Sequence, residues 1–118
     1  MQKIFTGTVR KGTKRAAALG FPTVNIPLEE AGVSGVYVAR LVFEGKEYPA
    51  AAFADQKRKL LEAHILDFSE NVYGKEVLIE LLEKIREAQV FDNDTALRLA
   101  ILKDVENVRE YFTRRQVF

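Results

Sequence analysis

The feature that most constrains this chain is a succession of short β-rich segments that ends in one change of period. Ile4 to Val9, Val36 to Phe43, Tyr48 to Phe53, Leu60 to Phe68 and Val77 to Ile85 are extended runs dominated by apolar and aromatic residues. Glu44-Gly45-Lys46 is a hairpin signal, and Asn71 to Gly74 is a loop too short to hold a crossover helix. From Thr95 the spacing becomes helical: Leu97, Ile101, Val105, Val108 and Phe112 share one face, while Arg98, Lys103, Glu106 and Arg109 fill the other. Five or six short strands followed by one helix fit a small barrel, a closure that removes exposed strand edges.

Finer readings follow from the same periods. Alternation puts Leu60, Glu62, His64, Leu66 and Phe68 on one face of their strand and Leu61, Ala63 and Ile65 on the other. Val77, Ile79, Leu81 and Ile85 are expected to share a face. Ala16 to Leu19 could form one helical turn, but Gly20 and Pro22 close it quickly, so a compact loop is expected. Asp92, Asn93 or Asp94 can cap the helix, which is expected over about residues 94–112.

Composition narrows the class. At 118 residues, with no internal repeat or low-complexity linker, the expectation is a single domain over residues 1–118. An apolar fraction of 47% is too high for intrinsic disorder. The absence of cysteine excludes disulfide scaffolds, thiolate metal sites and thiol nucleophiles, and it suits a cytoplasmic setting. Met1 to Thr8 lacks the apolar core of a signal peptide, and no apolar run is long enough to span a bilayer. The net charge of +1 leaves only a local basic patch, Arg10, Lys11, Lys14 and Arg15.

Two segments carry chemistry. The basic, glycine-punctuated stretch from Gly12 to Asn25 could wrap phosphates, because free N–H groups and cations neutralise phosphate oxygens while a Thr hydroxyl can ligate magnesium. It is neither a Walker A motif nor a dinucleotide fingerprint. Glu62 and His64 project from one strand face, where Glu62 could accept a hydroxyl proton. The plainer alternative has both at a barrel rim, Glu62 hydrogen-bonding a loop and His64 satisfying a neighbour.

Gly7-x-Val9-x-x-Gly12 followed by Leu19-Gly20-Phe21-Pro22-Thr23-Val24-Asn25-Ile26 resembles the N-terminal signature of riboflavin kinases. Gly35-Val36-Tyr37, Glu62-Ala63-His64-Ile65-Leu66-Asp67-Phe68 and Tyr73-Gly74 resemble later family segments, and Arg86, Phe91, Leu97 and Asp104 fall at matching spacings. The resemblance implies a six-stranded antiparallel Greek-key barrel with a C-terminal helix. It also implies transfer of the γ-phosphate of ATP to the 5′-hydroxyl of riboflavin, giving FMN and ADP with Mg2+. On this reading Glu62 is the base, and Thr23 and Asn25 hold the metal. Gly12, Lys14, Arg15, Gly20, Phe21, Pro22 and Thr23 bind the nucleotide, and Arg86 and Phe91 contact the flavin. A monomer is expected, without an adenylyltransferase activity.

Some positions depart from the family pattern. Ala16-Ala17 replaces a usual Gly-Arg, removing a cation that Lys14 and Arg15 could supply. Ala54 to Lys59 is short and charged where the family carries an Ile-Gly and Pro-Thr segment, so a more open pocket is expected. Ala88 stands where a Glu is usual, and Val24 replaces a common Ala. An ordinary solvated ion pair of Arg86 with Glu83 or Glu87 competes with its flavin role, and core packing is the default for Phe112. Two other functions compete: a flavin- or nucleotide-binding module weakened by the altered loop, and a nucleic-acid-binding barrel, which the near-zero net charge disfavours.

Overall fold

The computed structural model describes residues 3–11 and 15–115. Along the chain run β1 (Lys3–Thr8), α1 (Arg15–Ala18), β2 (Val24–Pro27), β3 (Gly35–Phe43), β4 (Lys46–Asp55), β5 (Leu60–Ile65), β6 (Glu76–Arg86) and α2 (Asp94–Arg115). The strands form one antiparallel sheet in the order β1-β6-β3-β4-β5-β2. Here β3, β4 and β5 follow as a meander and β6 returns to the free side of β3, which is a Greek key. The two outer strands curl toward each other, and the Arg10 N–H donates to the Asn25 carbonyl at 2.7 Å, so the barrel is nearly closed.

Period-2 alternation builds the interior. Ile26, Ala39, Leu41, Ala50, Ala52, Ala54, Leu61, Ala63, Ile65, Val77, Ile79 and Leu81 face inward and are buried. The outer face of β3, β4 and β6 would otherwise leave apolar surface in water. There Val38 and Leu66 pack against Val108 and Tyr111 of α2, with Val105 and Phe112 at the margin. Phe112 therefore serves packing, as expected. Asn93 is the residue that caps α2, its Oδ1 accepting the Ala96 N–H at 2.8 Å, and the helix runs on to Arg115.

Three local expectations are corrected. Residues Arg15–Ala18 do form a helical turn, because Gly20, at φ 97°, closes a Schellman cap: Phe21 N–H donates to Ala16 O and Gly20 N–H to Ala17 O. Ile85 does not share the inward face of Leu81. Register shifts leave Leu82 and Ile85 as extra residues in β6, and these bulges turn Ile85 outward to α2. Phe68 leaves the face of Glu62 because β5 ends at Ile65 and Asp67 takes a positive φ, so Phe68 packs on Tyr48 and Phe43.

Candidate active site

A cavity of about 580 Å³ opens on the outer face of the barrel, bounded by β4, β5, the exit of α1 and the first half of α2. Its size is that of a small-molecule site. Leu97 and Ile101 of the apolar helix stripe line it rather than the core, so one stripe serves both packing and cavity.

Glu62 sits on its wall. In the antiparallel register it lies opposite Asn25 on one side and Phe53 on the other, and directly paired residues share a face. The Thr23 hydroxyl donates to Glu62 Oε1 at 3.4 Å. The side chain is 7% exposed. Burial raises its pKa above the ordinary carboxylate value and the nearby Asp55 raises it further, while Arg58 and the Thr23 hydrogen bond oppose the shift. A carboxylate tuned upward in a cavity has the character of a general base.

Asn25 is 2% exposed, and its Oδ1 has no hydrogen-bond partner. An orphaned buried carbonyl oxygen costs roughly 1–3 kcal/mol, so it calls for a partner supplied from outside the fold. Asn25 Oδ1 and Thr23 Oγ1 are hard neutral oxygens, a set that fits a magnesium ion whose other ligands are water and phosphate oxygens. Among the described residues no cluster of three or more His, Cys, Asp or Glu could hold a metal alone.

The other expected site residues are placed as follows. Arg15, Phe21, Thr23, Arg86 and Phe91 line the same cavity as Glu62. Gly20 ends α1, and the Pro22 carbonyl accepts a hydrogen bond from His64 Nδ1 at 2.8 Å. Gly12 and Lys14 lie outside the described residues. Arg15 reaches across the rim, its Nε–H donating to Asp94 Oδ1 at 3.3 Å.

Arg86 is corrected in its partner. Its carboxylate is Asp104, not Glu83 or Glu87: Nε donates to Oδ1 at 2.9 Å and Nη2 to Oδ2 at 2.8 Å, a bidentate pair with Asp104 only 4% exposed. The guanidinium also lies 5.6 Å from the centre of the Phe91 ring. Glu87 instead pairs with Lys84.

Sequence reasoning marks Ala54 to Lys59 as short and charged but does not reach the geometry of this β4–β5 turn. Asp55 Oδ1 accepts the N–H groups of Lys57 and Arg58 at 3.0 and 3.2 Å, closing a tight turn that brings Arg58 to the cavity wall. Its signal was the Asp two and three residues ahead of those donors. Asp104 stands in the sequence as a carboxylate inside the apolar stripe, three residues after Ile101 and four before Val108, but nothing there names Arg86 as its partner.

No helix among the described residues is long and apolar enough to cross a membrane. The family model described as riboflavin kinase matches residues 2–112. The chain is 35% identical over 115 residues to the bifunctional riboflavin kinase/FMN adenylyltransferase of Haemophilus influenzae, covering 90% of this chain and 37% of that protein. To the bifunctional riboflavin kinase/FMN adenylyltransferase of Escherichia coli K12 it is 33% identical over 116 residues, covering 91% and 37%. It thus spans less than two fifths of the length of these bacterial relatives. Among solved structures, the riboflavin kinase of Trypanosoma brucei matches with a TM-score of 0.73 and 26% identity, over 98% of this chain and 80% of that one. Sequence and fold agree: the chain belongs to the riboflavin kinase family.

Proposed function

We propose that this chain transfers the γ-phosphate of ATP to the 5′-hydroxyl of riboflavin, giving FMN and ADP. The observation that carries this is a buried carboxylate and a hydroxyl bonded to it on one cavity wall, with an unpartnered buried amide oxygen on the strand position paired with that carboxylate.

In this reading Glu62 takes the proton of the 5′-hydroxyl, the freed oxygen forms its bond to the γ-phosphorus, and the bond from γ-phosphorus to the bridging oxygen breaks to leave ADP. Thr23 keeps the carboxylate oriented. A magnesium ion held by Thr23 and Asn25 would neutralise charge on the β- and γ-phosphates. The Gly20-Phe21-Pro22-Thr23 segment, with Arg15, faces the nucleotide. The isoalloxazine ring takes the apolar side of the cavity, walled by Arg86, Phe91, Leu97 and Ile101. Most of the rate comes from alignment and charge neutralisation.

The test is to incubate the protein with riboflavin, ATP and magnesium and to separate the flavins and nucleotides by chromatography. Equal amounts of FMN and ADP support the proposal. Bound flavin without FMN overturns it in favour of a binding module, for which the replacement of Gly-Arg by Ala16-Ala17 would be the cause.

A further inference from the structure

His64 is left unused by the chemistry above, yet together with Glu62 it ties the nucleotide-facing segment to β5, and by the shorter of the two bonds. It lies two residues beyond Glu62 on β5 and so projects from the same face into the same cavity. A carbonyl oxygen can only accept, so the 2.8 Å contact to Pro22 O means that Nδ1 carries the proton. The ring also meets Phe21 edge-on, with centroids 5.4 Å apart at 86°.

The segment needs this support. Phe21 N–H closes the cap of α1, Pro22 has no N–H to give, and the ladder with β5 begins only at Val24 opposite Ala63. Between those points the described side-chain bonds are two: His64 to Pro22 O and Thr23 to Glu62. The second is long at 3.4 Å, so a small drift of Pro22 would break it. Glu62 and His64 therefore hold consecutive residues of the segment, and β5 sets the base and the phosphate-facing hydroxyl in one frame.

We infer that His64 is a positioning residue that holds Pro22 and Thr23 in the geometry needed for the nucleotide and its metal. This rests on the kinase reading given above. The occupant of the segment is a nucleoside triphosphate with its divalent cation, while the flavin side of the cavity is untouched by the clamp.

Two variants separate positioning from plain packing. His64→Phe keeps an aromatic ring against Phe21 and removes the donor; His64→Asn restores a donor near the Nδ1 position without the ring. Wild type and both variants are compared for FMN formation, for MgADP and riboflavin affinity by calorimetry, and for amide exchange over residues 21–25. Losing one hydrogen bond of ordinary strength predicts that His64→Phe weakens MgADP binding and raises the KM for MgATP by about tenfold. Riboflavin affinity should stay within about twofold, exchange should quicken only over residues 21–25, and His64→Asn should recover most of the nucleotide affinity. A folded His64→Phe protein that binds MgADP as the wild type does overturns the inference. So does an equal loss for both ligands, or His64→Asn binding no better than His64→Phe. Wild type that makes no FMN defeats the kinase reading instead, and the MgADP affinities and amide exchange still decide the role of His64.

Discussion

Replacing Asp104 by Leu should destabilise the domain more than any other single change at the cavity wall that leaves the barrel interior intact. Asp104 is buried inside the apolar stripe of α2 and holds Arg86 by two hydrogen bonds of 2.9 and 2.8 Å. Removing one partner of a buried pair costs about 3–5 kcal/mol, chiefly because the other charge is stranded. The Arg86 side chain is 24% exposed and can swing partly into water, so the expected loss is about 2–3 kcal/mol. For a chain of this length that corresponds to a fall in Tm of roughly 8–12 °C. The informative companion is Arg86→Met with Asp104→Leu, which removes both charges at similar volume and should recover most of the loss. Thermal unfolding by circular dichroism measures both. A single variant within about 2 °C of wild type, or a double variant no better than the single, would refute the idea that the pair is held by mutual burial.

Further outcomes follow from the same geometry. Because burial raises the Glu62 pKa, the acid limb of kcat/KM should lie above the ordinary carboxylate range and vanish in Glu62→Gln. The linked stability has the opposite sense. The folded state favours protonated Glu62, so stability is full below the unfolded pKa and falls as pH rises through the folded one. Glu62→Gln should then raise Tm at pH 7 and leave it unchanged at pH 3, as thermal scans at the two values would show. Asn25→Leu removes an unpartnered buried oxygen, so it should unfold within about 1 kcal/mol of wild type in urea while losing the magnesium dependence of nucleotide binding. Gly35 has φ 97°, and a Cβ there would lie 2.6 Å from the Arg86 carbonyl oxygen, so Gly35→Ala should cost about 2–3 kcal/mol in urea unfolding.

The fold was readable where local pattern and tertiary burial agree. The inward rows Leu61-Ala63-Ile65 and Val77-Ile79-Leu81 follow strict alternation because each strand has one packed face. Alternation fails at Leu82 and Ile85, since a bulge adds a residue without changing the composition of the run, and its position depends on β3. The helical turn Arg15–Ala18 does not show in the sequence, where Ala16 to Leu19 looks like a loop, because nucleating so short a helix is costly in isolation; Gly20 and Phe21 complete its cap. In the site, Glu62 and His64 were legible as a pair because a strand forces residues two apart to one side. The Asp104 partner of Arg86 was not, because that contact joins β6 to α2 and sequence order ranks Glu83 and Glu87 as nearer. The pairing of Thr23 with Glu62 likewise depends on the β2–β5 register, which neither strand states alone.

On the proposed reading the buried carboxylate of Glu62 is the base that activates the riboflavin 5′-hydroxyl. Its most direct test is the rate of FMN formation by wild type and Glu62→Gln at saturating riboflavin and MgATP, with both affinities measured on the same samples. Loss of a general base predicts a fall in kcat of about 10²–10⁴-fold with both affinities within about twofold. A Glu62→Gln protein that turns over as fast as the wild type, or a wild type that binds both ligands and forms no FMN, would contradict the account.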